Sequence, residues 1–375
     1  MATRFRLFTK RFFIFLNAVL VFFFLLACVA PYLDPENWWF ISFLGLGFPF
    51  LLAAMLCFLI GWLFVKRKLA LLPAIALVLG YKSISVLFAF HPGASFKEKK
   101  QPGDIRVVTW NVARFVEMKR NNNKGSRTRL RMMEQLKDAD ADIICMQEFF
   151  HSNATGWYSN LTYIAKQMNY PYFYYSHDDD GDKHFIGNII FSRFPIIDSG
   201  LVRFPRPSLP ETLMHADIVA YGDTMRVYTT HLQSLQLRPD DYEAIDHIKE
   251  GDSGIISNSR TIYSKLRKGI SRRKLQTDVV EQVVGDSPYP AVLCGDLNDV
   301  PNSYTYYSVR GDKQDVFLKK GFGIGRTFSA ISPTLRIDYM FADKNFTVKQ
   351  VKRVVRDYSD HYMLVSDLHR RKETP

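Results

Sequence analysis

The chain has 375 residues, 47% of them hydrophobic, and a formal charge of +12. That apolar content excludes a disordered polyelectrolyte. The charge is lopsided, with eleven Lys and Arg against three Asp and Glu in the first hundred residues and 38 against 34 afterwards, so most of the excess flanks apolar segments. A dedicated duplex binder, which relies on many phosphate contacts, is not what this balance describes.

In chain order, residues 1–95 read as a membrane anchor. Three apolar runs, at about 12–30, 40–65 and 69–90, are each long enough to cross a bilayer. The first two carry no charge, and the third holds Lys82 near its middle. Trp38 and Trp39 stand where an interfacial aromatic belt belongs. Arg4, Arg6, Lys10 and Arg11 precede the first run, and Lys66, Arg67 and Lys68 separate the second from the third. The loop between the first two runs has Asp34 and Glu36 but no cation. By the positive-inside rule the N-terminus is cytoplasmic, and a spanning third run puts everything after it outside.

A short polar linker, 96–103, leads into a single large domain expected over 104–370. Strand-like runs bounded by turn residues recur at 105–110, 143–147, 187–192, 214–220, 225–231, 291–295, 337–341 and 347–355. Helical pattern appears at about 128–138, 156–168 and 260–284. Few helices among many strands point to an α/β sandwich rather than a doubly wound sheet. Two segments read as exposed insertions, Asn121–Ser126 and the charged stretch 234–275. Cys28, Cys57, Cys145 and Cys294 sit in apolar runs and read as small hydrophobes without zinc spacing.

Four of these runs end in polar groups with chemistry. Ala291–Cys294 reaches Gly295 and then Asp296 and Asn298; Ile105–Trp110 runs into Asn111; Ile143–Gln147 runs into Glu148; and Arg353–Arg356 leads to Ser359, Asp360 and His361. With His231 and Asp338 they form a candidate set rich in oxygen donors and lacking a cysteine cluster. Such donors suit magnesium, or manganese or calcium, rather than zinc. A carboxylate such as Asp296 can align and deprotonate water, Asn298 can donate to a phosphoryl oxygen, and Asp338 can fix the tautomer of His361.

Trp110-Asn111, Gln147-Glu148, residues 187–195, Thr230-His231-Leu232, Gly295–Asn298, Arg336–Tyr339 and Ser359–His361 occur in the order found in the endonuclease/exonuclease/phosphatase superfamily. The resemblance covers about 104–367. It implies a DNase I-like four-layer α/β/β/α sandwich behind the transmembrane region, and a metal-dependent phosphoesterase. It further implies metal ligation by Asn111, Glu148 and Asp360, with water orientation by Asp296 and phosphate contact by Asn298. His361 would contact the scissile phosphate, supported by Asp338, and His231 would act near the leaving group. Gly321–Thr327 resembles a loop of membrane-tethered bacterial members. The expected setting is a bacterial inner membrane with the catalytic domain extracytoplasmic. The expected substrate is a phospholipid headgroup or nucleic acid, and the alternatives are an extracytoplasmic nuclease or a non-catalytic binding protein.

Overall fold

A computed structural model describes residues 2–93, 95–120, 127–205, 211–235, 240–241, 243 and 255–371. The chain divides into two compact units: Met1–Phe88 with Asp299–Tyr307, and Ala89–Asn298 with Ser308–Pro375. The loop expected at Asn121–Ser126 and much of the 234–275 stretch lie outside the described residues.

In the first unit, α1 (Ala2–Val29) and α2 (Trp39–Val65) are long and apolar enough to span a membrane. The third apolar run departs from the continuous span expected over 69–90. It forms α3 (Arg67–Leu79) and α4 (Tyr81–Leu87), which meet at Gly80 with a 68° bend. A Cβ at Gly80 would lie 2.7 Å from the Phe24 ring, so α1 packs directly against the break and a side chain there would have to displace that ring.

The second unit is two packed sheets. One has the order β14-β15-β2-β3-β6-β4, with β5 (Asp178–Asp179) on β6. Its strands are β2 (Asp104–Asn111), β3 (Ile143–Ser152), β4 (Tyr172–Tyr175), β6 (His184–Ser192), β14 (Phe346–Val354) and β15 (Met363–Arg370). The other has the order β11-β13-β10-β9-β8-β7. Its strands are β7 (Ile196–Arg203), β8 (Thr212–Ala220), β9 (Asp223–His231), β10 (Ala291–Asp296), β11 (Gln314–Asp315) and β13 (Asp338–Ala342). A two-residue pair, β1 (Ala89–Phe90) with β12 (Phe322–Gly323), stands apart.

Strand alternation builds the layers. Ile105, Val107, Ile143 and Cys145 of one sheet meet Val227, Val292, Cys294 and Met340 of the other in the inter-sheet core. The alternate residues Val108, Trp110, Ile144 and Met146 face outward onto Met132, Met133 and Leu136 of α5 (Thr128–Ala139). Those three recur at helical spacing, and Asp140 ends α5 in the left-handed conformation. On the other outer face runs α6 (Ile255–Gly285), where Val280 and Val284 are buried and Tyr228 Oη donates to Val283 O at 3.3 Å. The result is an α/β/β/α sandwich.

Two expectations shift. The helix read over 156–168 starts later, as an α-helical turn at Asn160–Thr162 that widens into a π-helix at Tyr163–Gln167, because residues before it pair as a loop around Gly156. Strands at Tyr172–Tyr175, Ile196–Arg203 and Met363–Arg370 carry weak or mixed patterning and were not among the expected runs.

Candidate active site

The alternation that makes the inter-sheet core also delivers the site. Val107 faces the core, and so does Asn111 four residues on, at the end of β2. The same parity carries Val292 and Cys294 to Asp296 on β10, Val227 to His231 on β9, and Met340 back to Asp338 on β13. In the sheet register Asp296 lies between His231 and Asp338. Gly295 lets β9 and β10 close up here, since a Cβ would fall 2.2 Å from Thr230 O.

Glu148 breaks the alternation. Strict period two would turn it outward, but β3 bulges between Met146 and Phe149, and Glu148 takes a φ of 50°. Gln147 reaches across the core to Thr229 Oγ1 at 2.9 Å, and Phe149 resumes the outward face. Glu148 is thereby aimed at the site, where Asn111 Nδ2 donates to its Oε1 at 3.2 Å and to Asp296 Oδ2 at 3.1 Å. Asn298 is also left-handed, with a φ of 50°; its backbone N–H donates to Asp296 Oδ1 at 2.8 Å and its side-chain amide to Leu232 O at 2.9 Å. Positive φ at two non-glycine residues in one cleft is stored backbone strain of the kind found at functional sites.

Both histidines converge on one atom. His231 Nε2 and His361 Nε2 each lie 3.7 Å from Asp296 Oδ2, and His231 Nε2 is 3.9 Å from Glu148 Oε1. The His361 Nδ1–H donates to the Asp338 carboxylate at 2.9 Å, which fixes the tautomer and leaves Nε2 facing the cleft. Burial alone would lower the pKa of His361, but Asp338 and Asp296 outweigh it and raise it to about 10. Burial raises Asp338 to about 6, against the pull of His361.

Residues outside the expected set hold this geometry. Thr327 Oγ1 accepts from the Ile337 and Asp338 N–H groups at 2.9 and 3.0 Å, and Phe328 lies against the His361 ring. Trp110 Nε1 donates to His361 O at 2.9 Å, and Gln276 Oε1 accepts from Gln233 N at 2.7 Å, pinning the chain beyond His231. Glycine spacing in 321–325 was the only sequence signal near Thr327; the Gln276 contact had none.

Asp360 lies apart from this convergence. It is exposed, and its Oδ1 is 3.3 Å from Ser359 Oγ, the hydroxyl that donates to Asn111 O at 3.0 Å. Among the described residues, Asp296, Asp338 and His361 offer ligand atoms within 4.8 Å of one another. Both Asp338 oxygens are already committed to His361 Nδ1, so this trio is a proton-holding relay more than an open cage. The oxygens that fit a hard cation are Glu148 Oε1 and Asp296 Oδ2, two carboxylates sharing one amide donor.

Comparison with known proteins agrees with this architecture. A family model described as a domain of unknown function matches residues 10–87. No curated protein matches the chain. An endonuclease/exonuclease/phosphatase structure from Beutenbergia cavernae is 21% identical, with a TM-score of 0.51, covering 72% of each chain. The human Nocturnin catalytic domain with bound sulfate is 15% identical (TM-score 0.49), covering 72% of this chain and 94% of that one. A Bacteroides thetaiotaomicron mannosyl-6-phosphatase is 17% identical (TM-score 0.43), covering 70% of this chain and 99% of that one. The Endonuclease/Exonuclease/phosphatase family model matches residues 108–361, from β2 to His361, and the chain belongs to that family of hydrolases acting on phosphoester bonds.

Proposed function

We propose that the protein is a membrane-anchored, divalent-cation-dependent phosphoesterase in which Asp296 directs water in line onto a phosphorus. One observation carries the reading: Asp296 Oδ2 is the common neighbour of the Asn111 amide and of both histidine Nε2 atoms. A carboxylate so placed can hold a water and take its proton as the new P–O bond forms. His361, kept protonated by Asp338, donates from Nε2 to a phosphoryl oxygen, and Asn298 supplies a second polar contact. His231 serves the leaving oxygen, which takes up a proton as its bond to phosphorus breaks.

Glu148 and Asp296 would hold the cation beside the Asn111 amide. Magnesium suits this sparse oxygen set, and manganese or calcium are alternatives. When bound, the cation polarises a phosphoryl oxygen and offsets charge building there. With the bent pair Arg67–Leu79 and Tyr81–Leu87 as a third crossing after the two long apolar helices, the protein would be a multi-pass bacterial inner-membrane protein with an extracytoplasmic catalytic domain. That setting favours a lipid headgroup phosphoester over chromosomal nucleic acid as substrate.

The test is a magnesium-dependent hydrolysis screen of the full chain in nanodiscs. It compares phosphoinositides, sphingomyelin, plasmid DNA, RNA and bis-p-nitrophenyl phosphate, with Asp296→Ala as control. Lipid turnover lost in the variant supports the reading. DNA or RNA cleavage with the same dependence would make the protein a surface nuclease. Absence of turnover on every substrate would refute catalysis of this kind.

A further inference from the structure

The segment Asp299–Tyr307 follows the catalytic-loop residue Asn298 by one peptide bond, yet it belongs to the helical unit. Its hold on the helices is specific. Pro31 has no N–H, so the donor that an α-helix would offer Ala27 O from four residues ahead is missing. Asn302 Nδ2 supplies it at 2.9 Å, and both residues are buried. Nearby, α2 has Gly45 where a Cβ would lie 2.5 Å from Asn302 O, so only glycine permits this approach. Tyr307 Oη donates to Lys82 O at 3.2 Å, and its ring lies 5.5 Å from that of Tyr32. Within the segment, Asp299 accepts from Val300 N and from Thr305 Oγ1, both at 2.9 Å, and Ser303 Oγ accepts from Tyr306 N.

Leaving a buried carbonyl without a partner is unfavourable, and so is tearing an amide from its acceptor. The Ala27–Asn302 bond thus ties the segment firmly to the end of α1. Asn298 at the other end of that peptide bond sits at positive φ, so the direction in which the chain leaves the catalytic loop is set at this residue.

We propose that the apolar helices are a working part of the enzyme, with Asn302 as a positioning residue that sets the Asp296–Asn298 loop by anchoring the chain that follows it. The apolar helices, whose residues 10–87 match a domain of unknown function, thereby acquire a role beyond tethering. This inference rests on the proposed catalytic role of Asp296 and Asn298.

The experiment uses the full chain in nanodiscs with bis-p-nitrophenyl phosphate, a soluble diester that needs no membrane access. Asn302→Asp is nearly isosteric but cannot donate, and Gly45→Ala pushes the segment away sterically. Met55→Ala, a buried site about 15 Å further along α2, controls for general loss of helical packing. The expected result is that Asn302→Asp and Gly45→Ala each lower kcat about tenfold, the scale of a small misplacement of catalytic groups, with KM within twofold. Both also speed amide exchange across 296–306, while Met55→Ala lowers Tm without either change. Unaltered kcat and exchange in Asn302→Asp would overturn the inference, as would an equal kcat loss in Met55→Ala. If the wild-type chain turns over no diester, the catalytic reading fails, and the exchange arm alone still decides whether the helices set the loop.

Discussion

Gln147 and Glu148 are adjacent in a β-strand yet turn to the same side of the sheet, Gln147 to Thr229 across the core and Glu148 to the Asn111 amide. The bulge that allows this costs the protein a left-handed, non-glycine residue at the mouth of its site. It also brings the Glu148 carboxylate beside that of Asp296, with one amide between them. Backbone strain and like-charge proximity are both held at the point where a cation is expected to bind.

Glu148→Gly should therefore raise the stability of metal-free protein while destroying cation binding. A left-handed non-glycine residue costs roughly 1–2 kcal/mol, and glycine at that φ is unstrained. The expected pattern is a Tm equal to or above wild type in EDTA, with the magnesium- or manganese-induced rise in Tm gone. A clear fall in metal-free Tm would show that the Glu148 side chain stabilises the fold itself.

The His361–Asp338 pair sets a pH dependence with a definite sign. The folded pKa of His361 is raised to about 10, so its contribution is complete below roughly 6.5, the unperturbed value. It is lost as pH climbs through the folded value. Metal-free wild type should lose stability between neutral pH and about 10 more steeply than His361→Asn. Parallel Tm–pH curves for the two proteins would contradict the pairing.

Gly295→Ala should be among the most damaging small substitutions in the catalytic unit. The added methyl would meet Thr230 O at 2.2 Å on the parallel neighbour β9. Overpacking of this kind costs ~1–3 kcal/mol or more, and here it would separate the strands that carry His231 and Asp296. Denaturant unfolding should show that loss together with reduced kcat; wild-type kcat would mean that the two strands tolerate the wider spacing.

A reporter fused after residue 95 tests the anchor. If the bent pair Arg67–Leu79 and Tyr81–Leu87 crosses as one broken span, the reporter is active only outside the cytoplasm. Cytoplasmic activity would make that pair re-entrant and place the active site on the inner face.

Much of the site was legible in the sequence. Asn111, His231 and Asp296 stand at the ends of apolar runs, which made them legible, and the structure shows each to lie an even step from a residue of the inter-sheet core. Glu148 was recognisable only by its neighbours, since parity points it the wrong way and the bulge that corrects it has no glycine or proline to mark it. The break at Gly80 was equally hidden, because an isolated glycine in an apolar run is compatible with a straight helix; the Phe24 ring pressing on it decides otherwise. The attachment of Asp299–Tyr307 to the helices depends on a carbonyl orphaned by Pro31, more than 250 residues away in the sequence. No local pattern reports a contact of that range.

The central claim is that Asp296 is the centre of a phosphoester-hydrolysing site, and one comparison tests it most directly. Magnesium-dependent turnover of bis-p-nitrophenyl phosphate would be measured for the full chain and for Asp296→Asn, which can still accept the Asn298 N–H but carries no charge. The account predicts a loss of at least about a hundredfold in kcat, within the range ascribed to positioned general bases, with the folded state intact. Turnover within a few-fold of wild type would contradict it and move the nucleophile's partner elsewhere in the cleft.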